Sequence, residues 1–164
     1  MAESLPEGRL NLTAVKALCV DSNSQGLEIL TQTLTGFGVD KLVRAHTAEE
    51  ARKALRQERF DIVLADARLS DESGYDLLRW LRRSSFDQNR FVPVILVTGH
   101  TRESQIQDAR DSGANFVVAK PTSPIVLLQR IQWVARGGRM FVESDNFVGP
   151  DRRFKHEGLP NGVG

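Results

Sequence analysis

The chain has almost no cysteine. Its single thiol, Cys19, lies within the mostly apolar segment Val15 to Val20. One cysteine excludes a disulfide framework, and a thiol in an apolar segment suits a reducing compartment. Charge of one sign is also lacking: 22 Lys and Arg stand against 21 Asp and Glu, a net +1. That balance argues against a general nucleic-acid or membrane-surface role. No apolar run approaches the ~20 residues that a membrane span needs. The opening residues carry Glu3, Pro6 and Glu7 where a secretory signal would be basic and then apolar. No internal repeat is visible. With 164 residues, 40% hydrophobic and 26% charged, the chain is expected to form one soluble, cytoplasmic domain with a short extension.

The stretch Phe60 to Gly74 organises the remainder. Ile62 to Ala65 is a short continuous apolar run, as expected of a strand buried on both faces of a parallel sheet, and Asp66 ends it. Similar runs occur at Lys16–Val20, Lys41–Arg44, Pro93–Val97 and Asn115–Ala119. Helical stripes lie between and after them: Leu27, Leu30, Leu34 and Phe37; Ala48, Ala51 and Leu55 behind the capping box Thr47 to Glu50; Leu77, Leu78 and Leu81 after Gly74; a polar helix over Thr101–Ser112; and Leu127, Leu128, Ile131 and Val134. Five alternations over residues 15–136 predict an α/β fold, a doubly wound five-stranded parallel sheet with helices on both faces. Strand order is not readable at this stage. Residues 1–14 read as a lead-in, and 137–164 as a largely flexible tail. Arg79, Arg82 and Arg83 are expected on a solvated helix face. His46, His100 and His156 lack ligand spacing, and Trp80 and Trp133 read as helix packing.

Strands one, three and four end in Asp21, Asp66 and Thr98, and the fifth ends in Lys120. In a doubly wound sheet such ends can converge on one crevice. Two carboxylates suit a hard cation such as Mg²⁺, while a hydroxyl and an ammonium suit phosphoryl oxygens. The set is adapted to phosphoryl transfer onto an aspartate. In this ordered set, residues 15–136 resemble the receiver domain of bacterial two-component response regulators, of the CheY-like kind and flavodoxin-like (βα)5 fold. The resemblance implies Asp66 as phosphoacceptor, Thr98 and Lys120 as phosphoryl-binding residues, and a cis Lys120–Pro121 bond. It implies Mg²⁺ held by Asp21, Asp66 and the backbone carbonyl of Arg68. Gly74 matches the usual glycine after the phosphoacceptor.

Four positions depart from the family pattern. Ser22 replaces the second acidic residue, which weakens the expected metal site by one charge. Arg68 occupies the carbonyl-donor position. Leu69-Ser70 replaces a Met-Pro pair, so a less rigid loop is expected. Val117 stands where an aromatic switch residue is usual, with Phe116 beside it. The implied function is a stand-alone response regulator, not an enzyme, that takes a phosphoryl group from a histidine kinase or phosphotransferase and signals by protein–protein contact. Residues 137–164 are too few for a DNA-binding domain, and a phosphatase-like enzyme ranks lowest. The alternative is a phosphorylation-independent pseudo-receiver adaptor. In that reading Arg136, Arg139, Arg152 and Arg153, interspersed with phenylalanines, bind cyclic di-GMP, and the protein acts on the flagellar motor.

Overall fold

Short runs of apolar, often β-branched residues make the strands, and periodic Leu and Ala residues make the helices that cover them. In the computed structural model, which describes residues 12–84, 88–99, 111–135, 141–143 and 148–150, the sheet strands are β1 (Lys16–Val20), β2 (Lys41–Ala45), β3 (Ile62–Asp66), β4 (Val94–Thr98) and β5 (Phe116–Ala119). The helices are α1 (Ser24–Gly36), α2 (Ala48–Gln57), α3 (Gly74–Arg83) and α4 (Pro124–Ala135). The helix expected over Thr101–Ser112 lies almost wholly outside the described residues. Among the described residues, a 3-10 turn, Leu12–Ala14, precedes β1 and buries Leu12.

The sheet order is β2-β1-β3-β4-β5, and every pairing is parallel. Parallel neighbours need long crossovers, so both faces are covered by helices. Side chains alternate between two cores. Leu18, Val20, Val63, Ala65, Leu96 and Val117 pack with Ala48, Ala51 and Leu55 of α2 and Leu77, Leu78 and Leu81 of α3. Ala17, Cys19, Leu64, Ile95, Val97 and Phe116 pack with Leu27 and Leu34 of α1 and Leu127, Ile131 and Val134 of α4. Burying each large aliphatic side chain contributes about 1.5–3 kcal/mol. Burial also pushes the Cys19 thiol up to about 12, so Cys19 is inert packing, as its apolar segment suggests.

The helix starts follow local chemistry. Asn23 caps α1 by accepting the Gly26 N–H at 2.8 Å. Thr47 accepts the Glu50 N–H at 3.0 Å, the cap half of a capping box, while the Glu50 carboxylate accepts the N–H of His46, one residue before the cap, at 2.7 Å. Ser73 caps α3 through the Asp76 N–H.

One expectation needs correction. Arg82 does not lie on a solvated face: it is 1% exposed. It follows Leu78 by one helical turn, so its stem shares the apolar stripe. Its guanidinium donates to the carbonyls of Gly113 (2.9 Å), Arg90 (2.9 Å) and Val92 (2.6 Å). Burial pulls its pKa down to about 9, and the charge is carried at neutral pH by these carbonyl dipoles. Arg79 and Arg83 are exposed, as expected. Two short stretches of the tail are among the described residues. Phe141–Glu143 (β6) and Val148–Pro150 (β7) pair antiparallel, and β7 passes beside α3.

Candidate functional site

The sheet order explains why distant residues meet. β1 has β2 on one side and β3 on the other, so chain direction in the winding reverses between β1 and β3. The C-terminal ends of these two strands therefore flank a crevice. Asp66 is the last residue of β3, and Asp21 directly follows β1. Lys120 follows β5, two strands away from β3, and its long side chain spans the gap. Its Nζ donates to Asp21 Oδ2 at 2.9 Å and also to Asp66 Oδ2. The remaining carboxylate oxygens are taken up locally: Asp21 Oδ1 accepts the Asn23 N–H at 2.9 Å, and Asp66 Oδ1 accepts the Arg68 N–H at 2.8 Å. Thr98 ends β4 between them, buried, and its carbonyl accepts the Lys120 N–H at 2.9 Å. The Lys120–Pro121 peptide is cis, as the resemblance implied.

The side chains of Asp21 and Asp66 are 5% and 12% exposed, that of Lys120 33%. Burial works to lower the Lys120 pKa. Hydrogen bonds to Asp66 and Asp21, and their charges, outweigh it and hold the ammonium above its ordinary 10.5. Two glycines make the approach possible. A Cβ on Gly74 would lie 2.3 Å from the Asp66 carbonyl oxygen, and one on Gly26 would lie 2.6 Å from Asp21 Oδ2. Gly74 was identified from the sequence. Gly26 was not, because a glycine inside a helical pattern carries no local signal of what packs against it.

The β3–α3 loop, which carries Leu69-Ser70, is hydrogen-bonded to neighbouring turns. Ser22 Oγ donates to the His46 carbonyl at 2.6 Å and accepts the Ser70 N–H at 2.8 Å. Asp71 accepts the N–H groups of Ala48 and Glu49, at 2.9 and 3.0 Å, from the first turn of α2. Those bonds hold its carboxyl below the ordinary 3.8. Glu72 pairs with Arg52 of α2. Arg52 and Arg56 in turn lie 5.3 and 5.4 Å from the Trp80 ring. These ties join residues 20 or more apart in sequence, so no local pattern announces them.

The donors that the resemblance assigns to a divalent cation are the carboxylates of Asp21 and Asp66 and the carbonyl of Arg68. Arg68 and Ser73 face each other across a bridge closed by Gly74 N–H to Ala67 O and Leu69 N–H to Glu72 O, which leaves the Arg68 carbonyl outside it. The Arg68 side chain is exposed. No group of three or more His, Cys, Asp or Glu side chains able to hold a metal occurs among the described residues. Mg²⁺ commonly uses one or two carboxylates and keeps several waters, so the set fits it, one carboxylate short because Ser22 offers only a hydroxyl already in use.

Val117 lies on the α2/α3 face, 2% exposed. Phe116 points to the opposite face, where Trp133 meets it edge-on at 5.4 Å and the Arg130 guanidinium lies 5.4 Å from its centroid. Because strand neighbours face opposite ways, Phe116 cannot take over the position of Val117. A cavity of about 400 Å³ opens beside Lys120, lined by Ile29, Leu30, Thr33, Val97, Pro121 and Leu127. A second, open groove runs over Asp21, Asp66, Arg68 and Ser70. His46 is exposed, whereas His100 and His156 lie outside the described residues. So do Arg136, Arg139, Arg152 and Arg153, which leaves the cyclic di-GMP reading on sequence alone.

The sequence model for the response regulator receiver domain matches residues 17–132. The chemotaxis protein CheY of Pseudomonas aeruginosa is 30% identical over 118 residues, 72% of this chain and 94% of CheY. The transcriptional regulatory protein GltR of the same organism is 32% identical over 121 residues, covering 73% of this chain but only 48% of GltR. Among solved structures, a putative response regulator from Chloroflexus aurantiacus superposes with a TM-score of 0.69 at 26% identity, covering 74% of this chain and 98% of the other. The chemotaxis response regulator CheY4 of Vibrio cholerae gives 0.66 at 26% identity, with 73% and 98% covered.

Proposed function

Because the chain belongs to the response regulator receiver family of two-component signalling, we propose that it accepts a phosphoryl group on Asp66 from a histidine kinase or phosphotransferase and signals through the resulting change of surface. The observation that carries this reading is the Asp66 carboxylate at the end of β3, bridged by Lys120 to Asp21 and open to the groove above it. An Asp66 oxygen attacks the phosphorus of the phosphohistidine, the P–N bond breaks, and an acyl phosphate forms. Lys120 is already between the two carboxylates, so its ammonium can follow the negative charge from the carboxylate to a phosphoryl oxygen. The Thr98 hydroxyl is the second phosphoryl ligand. Mg²⁺, when held weakly by Asp21, Asp66 and the Arg68 carbonyl, would supply neutralisation of the developing charge. Ile29, 58% exposed beside the groove, offers apolar contact to the incoming donor. Output by protein–protein contact fits the β5–α4 side, where Ile125 is also exposed. A cytoplasmic location follows from such a phosphodonor.

Labelling with acetyl phosphate or a phosphorylated donor tests the assignment. Label is expected on the native chain and none on Asp66→Ala; label persisting in that variant would sink it.

Ser22 and Val117 favour a second reading, an adaptor whose binding does not depend on phosphate. Mg²⁺ titration followed by NMR separates the two. Binding in the millimolar range that is lost in Asp21→Ala supports phosphotransfer, and no binding supports the adaptor.

A further inference from the structure

The loop that follows Asp66 makes a set of hydrogen bonds to neighbouring turns of the protein, and one side chain stands at their centre. Ser22 lies in the turn after β1. Its Oγ donates to the His46 carbonyl, just past β2, at 2.6 Å, and accepts the Ser70 N–H at 2.8 Å; Ser70 Oγ lies 3.2 Å away. The turns after β1, β2 and β3 are thereby joined through a single hydroxyl. A hydroxyl is the group that can do this, because it donates one hydrogen bond while accepting others. A carboxylate at this position could accept from Ser70 but would confront the His46 carbonyl with a second acceptor. Alanine could do neither, and threonine could do both. The next residues add ties of the same kind, Asp71 to the first turn of α2 and Glu72 to Arg52. The Arg68 N–H reaches Asp66 itself at 2.8 Å, so the loop and the carboxylate are positioned together.

We infer that Ser22 is a positioning residue whose hydroxyl latches the β3–α3 loop beside Asp66, so that the loop takes its place without a divalent cation. The inference gains its functional meaning from Asp66 as the reacting carboxylate, but it is tested without phosphorylation. The two ideas can therefore fail separately: absent labelling of Asp66 would remove the proposed function and leave the latch standing.

The experiment is amide hydrogen exchange by NMR on the full chain, native, Ser22→Ala and Ser22→Thr, each with and without MgCl₂. Exchange at Ser70 is expected to speed up about tenfold in Ser22→Ala, as loss of one or two net hydrogen bonds implies, and to return towards the native rate in Ser22→Thr. Amides within β1 and β3 serve as the control for intact folding and should not change. MgCl₂ should leave the native Ser70 rate unaltered. Equal Ser70 exchange in native and Ser22→Ala chains would overturn the latch. So would a slowing by MgCl₂ in the native chain as large as the effect of the hydroxyl.

Discussion

Lys120 stands between two carboxylates that would otherwise repel one another. With Lys120→Gln, Asp21 and Asp66 lose the ammonium that bridges them. The pH dependence follows from the raised lysine pKa. The stability contributed by its ion pairs is fully present below 10.5, the ordinary value, and is lost as pH rises through the higher folded value. Native stability should therefore decline in that alkaline range, and the decline should be missing in Lys120→Gln. At neutral pH the variant is expected to lose about 1–2 kcal/mol, between an exposed pair and a buried one, since a third of the lysine side chain is exposed. An unchanged alkaline profile in urea unfolding would show that the pairs add nothing.

Among the elements, α2 depends on a cap from outside itself. The Asp71 carboxylate binds two N–H groups at its first turn, where the helix dipole also favours an anion. Asp71→Ala should destabilise the chain by about 0.5–2 kcal/mol at neutral pH. The sign with pH is opposite to that of Lys120. Because the Asp71 pKa is lowered, its contribution is present above 3.8 and disappears as pH falls through the folded value. Native and variant stabilities should thus converge in acid, which urea titrations at several pH values would reveal. α3 is anchored through Arg82, whose removal leaves buried carbonyls at Gly113, Arg90 and Val92 without their donor. Arg82→Met should cost about 3 kcal/mol or more, read from the same titrations; a loss below about 1 kcal/mol would mean that water replaces the guanidinium.

For the whole molecule, both cores draw on residues between Leu12 and Val134. The described part of the tail pairs with itself and passes α3 at β7. We propose the receiver domain as an independent folding unit. A chain ending at Ala135 should then unfold within about 0.5 kcal/mol of the full chain, as for changes remote from the core. A loss above about 2 kcal/mol would make the β6–β7 ribbon part of the fold. No helix among the described residues is long and apolar enough to cross a membrane.

The sequence by itself determined the alternation of strands and helices, the two-faced burial of the sheet and the residues Asp21, Asp66, Thr98 and Lys120, because each of these is written in a local pattern: an apolar run, a periodic stripe, a polar residue at a strand end. The need for glycine at position 74 came from resemblance, and its reason, the close approach to the Asp66 carbonyl, came from packing. Only the tertiary structure decided the strand order that brings β1 and β3 together and the lysine bridge across two strands. It alone also turned Arg82 inward, placed Gly26 against Asp21 and bound the β3–α3 loop through Ser22, Asp71 and Glu72. Those features depend on contacts between segments far apart in the chain, and a hydroxyl or carboxylate in a turn has the same local appearance whether its partner is water or another loop.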